Sequence, residues 1–283
     1  MRTIVKITAA AATAALALGL TACGTDSDPA KAASGAKAES KPLVVAASPV
    51  PHADILEYVK KNLADDAGLE LEIKEFTDYV LPNTATESGE VGANFFQHKP
   101  YLDDFNKKNG THIVPVVNVH LEPLGLYSKK VEDIKDIKPG QTVAVPNDTT
   151  NEGRALNLLA ENGLITLKDG VGAAATLADV ADAKGLKFKE LEAATLPRAL
   201  NDVDAAVING NFAIEADLKP ADDSLALERA EGNPYANFLA VKEGNETDPR
   251  VEKLAKLLNS PEVKKYIEDT YQGSVAPAFG AAE

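Results

Sequence analysis

The 283-residue chain has no tryptophan, one methionine and one cysteine, and only 5% of its residues are aromatic. With Cys23 as the sole cysteine, no intrachain disulfide can form and no cysteine-built zinc site is available. Long apolar runs are also missing: the apolar stretch at residues 7 to 20 falls short of the ~20 residues that a membrane-spanning helix needs. Positive charge is scarce, with 29 Lys and Arg against 43 Asp and Glu and a formal net charge of −14. So acidic a surface argues against nucleic acid as a partner and against broad adhesion to anionic lipid. Catalytic signatures are absent as well. There is no G-x-S-x-G elbow, no P-loop and no HExxH. Gly170-Val171-Gly172 and the alanines after it fit a loose dinucleotide pattern, but the segment before them, ITLKD, is short and ends polar, so we read a turn. No cofactor is expected.

The first residues carry a targeting signal. Arg2 and Lys6 give a positive start, the apolar run follows, and Leu20-Thr21-Ala22-Cys23 resembles the bacterial lipobox, in which a signal peptidase cuts before a cysteine that takes a lipid. Residues 1–22 are therefore expected to be a lipoprotein signal peptide, with lipid on Cys23 tethering the chain to the outer face of a membrane. An ordinary secretory signal with an incidental cysteine is the alternative. Residues 24 to 41, GTDSDPAKAASGAKAESK, hold no large apolar side chain and cannot bury enough surface to fold, so 23–42 reads as a flexible linker.

From residue 43 onwards the pattern alternates. Leu43 to Ala47 is a short apolar run, and Ile55, Leu56, Val59 and Leu63 recur at helical spacing. Strand signals return at Leu69 to Ile73, Thr111 to Val119, Leu124 to Tyr127, Thr142 to Val145, Leu186 to Leu191, Ala205 to Ile208 and Phe238 to Val241. Helical signals lie at TTNEGRALNLLAENGL, at TLPRAL and at the end, where Ser260-Pro261 breaks one helix into two. The order implies an α/β fold with largely parallel sheets. In such folds ligands sit beyond the C-terminal ends of the strands.

Two stretches carry chemistry. In VAVPNDTTNEGRAL, Thr149 and Glu152 fit a capping box, so a helix should open directly after a strand, with free N–H groups suited to an anion. Arg154 lies about a turn in, where a guanidinium can grip a carboxylate with two bonds or simply sit in solvent. In ANFFQHKPYLDDF, Pro100 marks a helix start near Lys99, and Leu102 and Phe105 read as core. Phe96, His98 and Tyr101 lie before or at that start, placed to line a cleft and hold an apolar or sulfur-bearing side chain. The four histidines, His52, His98, His112 and His120, show no metal-site spacing and read as residues with separate roles, so no metal is expected.

Taken in order, FTDYVLPN, ANFFQHKPYL, LYSKK, VAVPNDTTNEGRAL, LKDGVG, ELEAATLPRAL, AAVIN and PYAN resemble the NlpA/MetQ family of methionine-binding lipoproteins, from about Leu43 to Phe279. The resemblance implies a two-lobed type II periplasmic-binding-protein fold with two crossover segments. One lobe would comprise 43–127 and 238–283, the other 128–237, with crossovers at Leu124 to Lys129 and Phe238 to Lys242. It implies a receptor, not an enzyme, that takes L-methionine and hands it to a membrane permease with its ATPase. Tyr79, Phe96 and Tyr101 would surround the side chain with His98 beside them, Arg154 would hold the carboxylate, and Asn209 and Asn237 would bond the backbone ends. His120-Leu121-Glu122 departs from the family's better-known Phe-Val-Tyr type of stretch. Glu122 reads as a solvated loop residue, with a counter-charge for an ammonium as the alternative. The departure leaves a methionine-containing dipeptide or another amino acid open as ligand. Rivals from other classes are a histidine-based metal receptor, an extracytoplasmic hydrolase using His98 with a carboxylate, and a surface adhesin with no ligand.

Overall fold

The computed structural model describes residues 41–230 and 232–282. The signal peptide, Cys23 and nearly all of the linker lie outside the described residues. The apolar run Leu43–Ala47 forms β1, and helix α1 (Asp54–Asn62) turns Ile55, Leu56 and Val59 into the core. Strand β2 (Leu71–Glu75) pairs parallel to β1, with Leu43 opposite Leu71 and Ala47 opposite Glu75. Helix α2 (Leu81–Ser88) leads to β3 (Ala93–His98), which runs without a loop into α3 (Lys99–Asn109) and then β4 (Ile113–Leu121).

The middle of the chain builds a second sheet. It contains β5 (Gly125–Tyr127), β6 (Thr142–Pro146) and helix α4 (Thr149–Glu161), then a small ribbon of β7 (Thr166–Leu167) and β8 (Val180–Asp182). Strand β9 (Lys187–Leu191), α5 (Leu196–Ala199), β10 (Ala205–Ile208), α6 (Gly210–Glu215), α7 (Pro220–Asp223) and β11 (Ala226–Leu227) follow. The chain then returns to the first sheet through β12 (Asn237–Lys242), α8 (Pro249–Leu258), α9 (Pro261–Tyr271) and β13 (Ala276–Ala281). Ser260 caps α9 from just before Pro261, which is the helix break the sequence signalled.

The strand order is β13-β4-β12-β3-β1-β2 in the six-stranded sheet and β11-β5-β10-β6-β9 in the five-stranded one. The sheets are mixed rather than largely parallel. β1, β2 and β3 run parallel, as do β10, β6 and β9, but β12, β4, β13, β5 and β11 enter antiparallel ladders. The reversal has a topological cause: β5 and β12 are the first strands after the chain changes sheet, and each arrives from the opposite side. The crossing segments themselves are Glu122-Pro123-Leu124 and residues 228–236. Half of Leu124 to Lys129, and all of Phe238 to Lys242, expected as crossovers, belong to strands β5 and β12.

Alternation explains how each sheet is covered. In the second sheet Val143, Val145 and Val207 pack with Leu156 and Leu159 of α4, while Ala144, Ala206 and Ile208 face Leu196, Leu200 and Phe212. In the first, Val45, Phe95, Val119 and Leu239 pack with α1, α8 and α9. Strand β3 was not among the strand signals of the sequence, yet Phe96 and His98 lie in it and all six of its residues are buried. It also shows no apolar–polar alternation, because Asn94 and Gln97 are buried in a closed network with Asn83 and Thr86. The C-terminal ends of β3, β6 and β10 all lead into residues around one cleft.

Candidate functional site

Tyr79, Phe96, His98, Tyr101, Arg154, Asn209 and Asn237 all line a single cavity, together with Gln97, Glu122, Asn151, Gly210 and Asn211. Six of the seven are buried; Tyr79 is half-buried at its rim. One wall is aromatic. The ring of Tyr79 lies 5.7 Å from that of Tyr101 and 6.1 Å from that of Phe96, in tilted and edge-on arrangements. The Tyr101 hydroxyl donates to the Tyr79 carbonyl at 2.7 Å, and Phe105 packs behind the group as core.

His98 holds this wall to the opposite one. It is the N-cap of α3, and its Nδ1 accepts from the Tyr101 N–H at 3.2 Å. Nδ1 must therefore be bare and Nε2 must carry the proton. Nε2–H donates to Asn151 Oδ1 at 3.2 Å, across the cleft, and burial, followed by the nearby Arg154, lowers the histidine's pKa to about 3. The ring is neutral at physiological pH, so it orients rather than charges the site. From the same wall the Tyr79 hydroxyl donates to Asn211 Oδ1 at 2.5 Å. With both sides bonded to each other, the structure is a closed form.

The second wall is polar. Helix α4 starts one residue earlier than the capping box implied: Asp148 is the N-cap and accepts from the Asn151 N–H, while Glu152 accepts from the Leu177 N–H. The anion at this helix mouth is the protein's own Asp148, so the helix end is not open to a ligand. Arg154, one turn in, is 4% exposed and directed inward. Its Nε and Nη2 are held by the carboxylate of Glu228, Nη2 also donates to the Glu122 carbonyl at 2.9 Å, and the guanidinium stacks 4.2 Å from the Tyr235 ring. Nη1 takes part in no hydrogen bond among the described residues, leaving two donors for an incoming acceptor. Asn209 donates to Asn151 Oδ1 at 3.0 Å, but its own Oδ1 is buried without a partner, as is Asn211 Nδ2. Gly210 between them is required by packing, since a Cβ there would come within 2.8 Å of Glu122 Cβ.

Glu122 is a correction. Expected as a solvated loop residue, it is 5% exposed and lines the cavity. His120 Nε2 lies 2.7 Å and His52 Nε2 3.2 Å from its Oε1, and His52 Nε2 also contacts Asn237 Oδ1 at 3.0 Å. The histidines thus do not all act separately: the rings of His52 and His120 lie 4.7 Å apart, and only His112 stands exposed elsewhere. Burial lowers the pKa of His52 to about 4 and that of His120 to about 3, and burial pushes the Glu122 carboxyl above its usual range against the pull of His52 and Arg154. His52, His120 and Glu122 are the one group of this kind among the described residues close enough to share a metal ion. Their geometry suits hydrogen bonds better. Both Nε2 atoms sit at bonding distance from a carboxylate oxygen, and neither Nδ1 has the partner that orients a ligating histidine.

Sequence reading missed Asn151, Asn211, Tyr235 and Glu228. Asn151 falls in the stretch already singled out, and a polar residue in the first turn after a strand end was the available signal. Asn211 and Glu228 carry no local pattern.

Two α/β lobes with a polar and an aromatic wall closing on a small cavity define a cleft-binding receptor of the periplasmic-binding-protein type. The chain belongs to the NlpA lipoprotein family, whose profile matches residues 43–279. It is 43% identical over 231 residues to the membrane lipoprotein TpN32 of Treponema pallidum, covering 81% of this chain and 85% of that one. It is 42% identical over 228 residues to the D-methionine-binding lipoprotein MetQ of Escherichia coli K12, covering 80% and 84%. A solved nutrient-binding protein from Burkholderia cenocepacia, bound to methionine, superposes with a TM-score of 0.81 at 45% identity, covering 84% of this chain and all of that one.

Proposed function

We propose that the protein is an extracytoplasmic receptor that captures L-methionine between its lobes and delivers it to a membrane permease powered by a cytoplasmic ATPase, tethered meanwhile by lipid on Cys23. The observation that carries the reading is the division of one cavity into two walls. Tyr79, Phe96 and Tyr101 offer rings to a flexible thioether, and Arg154 Nη1, Asn209 Oδ1 and Asn211 Nδ2 are loose polar ends opposite them. A zwitterion sealed in such a cleft needs those partners, because an unpaired buried charge costs several kcal/mol. The D-methionine-binding name of one relative and the bound methionine of another support methionine as the ligand. Nothing in this arrangement performs chemistry: neutral His98 is committed to Tyr101 and Asn151. The test is calorimetry of the full chain against both enantiomers of methionine, the other amino acids and methionyl dipeptides. One-to-one heat release with L-methionine and recovery of unaltered ligand is expected. Tighter binding of D-methionine or of a dipeptide would replace the ligand while keeping the receptor, and turnover would end the reading.

A further inference from the structure

The acidic and basic groups of the site are not matched. Among the residues lining the cavity, Arg154 carries the one guanidinium and Glu122 the one carboxyl, and Arg154 is already paired with Glu228 just outside it. Glu122 faces no free cation. Its two nearest partners are histidines that burial keeps neutral, each presenting Nε2 to the same carboxylate oxygen. Both Nδ1 atoms are bare in apolar surroundings, against Phe95 for both rings. His120 Nε2–H therefore fixes the carboxyl in place, while His52 Nε2, bonded to Asn237 Oδ1, lies 3.2 Å from the same oxygen, and neither neutral ring supplies a cation. Beside it, at the end of β10, the unpartnered Oδ1 of Asn209 is a second acceptor on the same cavity, and Gly210 lets that strand end approach Glu122 closely.

We infer that Glu122, positioned by His52 and His120, is the counter-charge for the ligand's α-ammonium, and that it makes the receptor selective for ligands with a free amino group. This rests on the proposed capture of an amino acid and names the group that reads its ammonium end. The geometry separates the two poles: a carboxylate goes to the donors of Arg154 and Asn211, and an ammonium to the acceptors Glu122 and Asn209. An ammonium would give the Glu122 carboxylate an opposite charge and favour its ionised form. A ligand without one, such as an N-acylated or deaminated analogue, would leave a buried carboxylate unpaired. His52 and His120 act through Glu122 and touch no ligand in this scheme.

The test is a cycle of two proteins and two ligands, measured by calorimetry. L-Methionine and 4-(methylthio)butanoate, which differ by the amino group alone, are titrated into the full wild-type chain and into Glu122→Gln, with thermal unfolding run on both to check folding. Wild type should prefer methionine on the order of 100-fold or more, and the preference should collapse to within about tenfold in the variant. Methionine should weaken on substitution, while the deaminated acid should bind the variant as well as or better than wild type. Equal loss of both ligands would make Glu122 structural and overturn the inference, leaving methionine capture intact. A wild type that binds the two ligands alike overturns it even if the variant fails to fold. A wild type that binds neither defeats both readings. Zinc stabilisation that disappears in Glu122→Gln would also overturn it, by making the trio a metal site.

Discussion

The two walls of the cleft differ in how completely their polar atoms are used. On the aromatic wall every polar group has a partner: Tyr101 bonds Tyr79, Tyr79 bonds Asn211, and His98 bonds Tyr101 and Asn151. On the polar wall Arg154 Nη1, Asn209 Oδ1 and Asn211 Nδ2 have none. A buried polar atom without a partner costs about 1–3 kcal/mol, and Asn209 Oδ1 and Asn211 Nδ2 are two such atoms on this one wall. The contrast teaches that the aromatic wall is finished by folding and the polar wall is finished by ligand.

Breaking the polar wall should cost most. Arg154→Ala removes the carboxylate's donors and strands Glu228, whose side chain is 14% exposed. L-Methionine affinity should fall on the order of 1000-fold by calorimetry, in line with loss of one member of a buried charged pair. Unchanged affinity would show that Arg154 serves Glu228 alone. Breaking the aromatic wall should act on stability first. Phe96→Ala should lower unfolding free energy by about 3–5 kcal/mol in denaturant titration, since the ring is 3% exposed and packed against Tyr79 and Tyr101. Cutting one bond between the walls should matter less: Tyr79→Phe leaves Asn211 Oδ1 unpaired and should weaken methionine binding about tenfold, near 1.4 kcal/mol.

A further effect is in the pH dependence. His98 has a folded-state pKa of about 3, below the unfolded value of 6.5, so the unfolded chain takes up a proton that the native state refuses. The stability from keeping His98 neutral is complete above pH 6.5 and is lost as pH falls towards 3. His52 and His120 add slopes of the same sign, which the raised carboxyl of Glu122 partly offsets. Asparagine can replace the N-cap acceptor without titrating. Between pH 6 and 4 the wild type should therefore lose about 1.4 kcal/mol per pH unit more than His98→Asn. Parallel curves would mean that His98 is protonated in the folded protein.

The fold was readable where local pattern and burial agree, as in β1, α1, β6, α4, β10 and the broken C-terminal helix pair. It was not readable in β3. There Asn94 and Gln97 look like loop residues, and only partners in α2, Asn83 and Thr86, make them interior. The antiparallel half of each sheet was also hidden, because strand direction follows from where the chain crosses between lobes and not from composition. Within the site, the residues named from motif resemblance share one cavity. Asn151 and Asn211 did not announce themselves, since each acts by bonding a residue far along the chain. Glu122 was misread because an acidic residue before a proline is ordinarily solvated, and its two histidine neighbours arrive from 70 and 2 residues away only after folding.

The division of labour between the walls is tested most directly by a crystal structure of the full chain with L-selenomethionine bound, in which anomalous scattering locates the selenium. The account predicts selenium about 5 Å from the rings of Phe96, Tyr79 or Tyr101, with the carboxylate on Arg154 Nη1. Selenium against Arg154 and the asparagines, or a ligand seated outside this cavity, would contradict it.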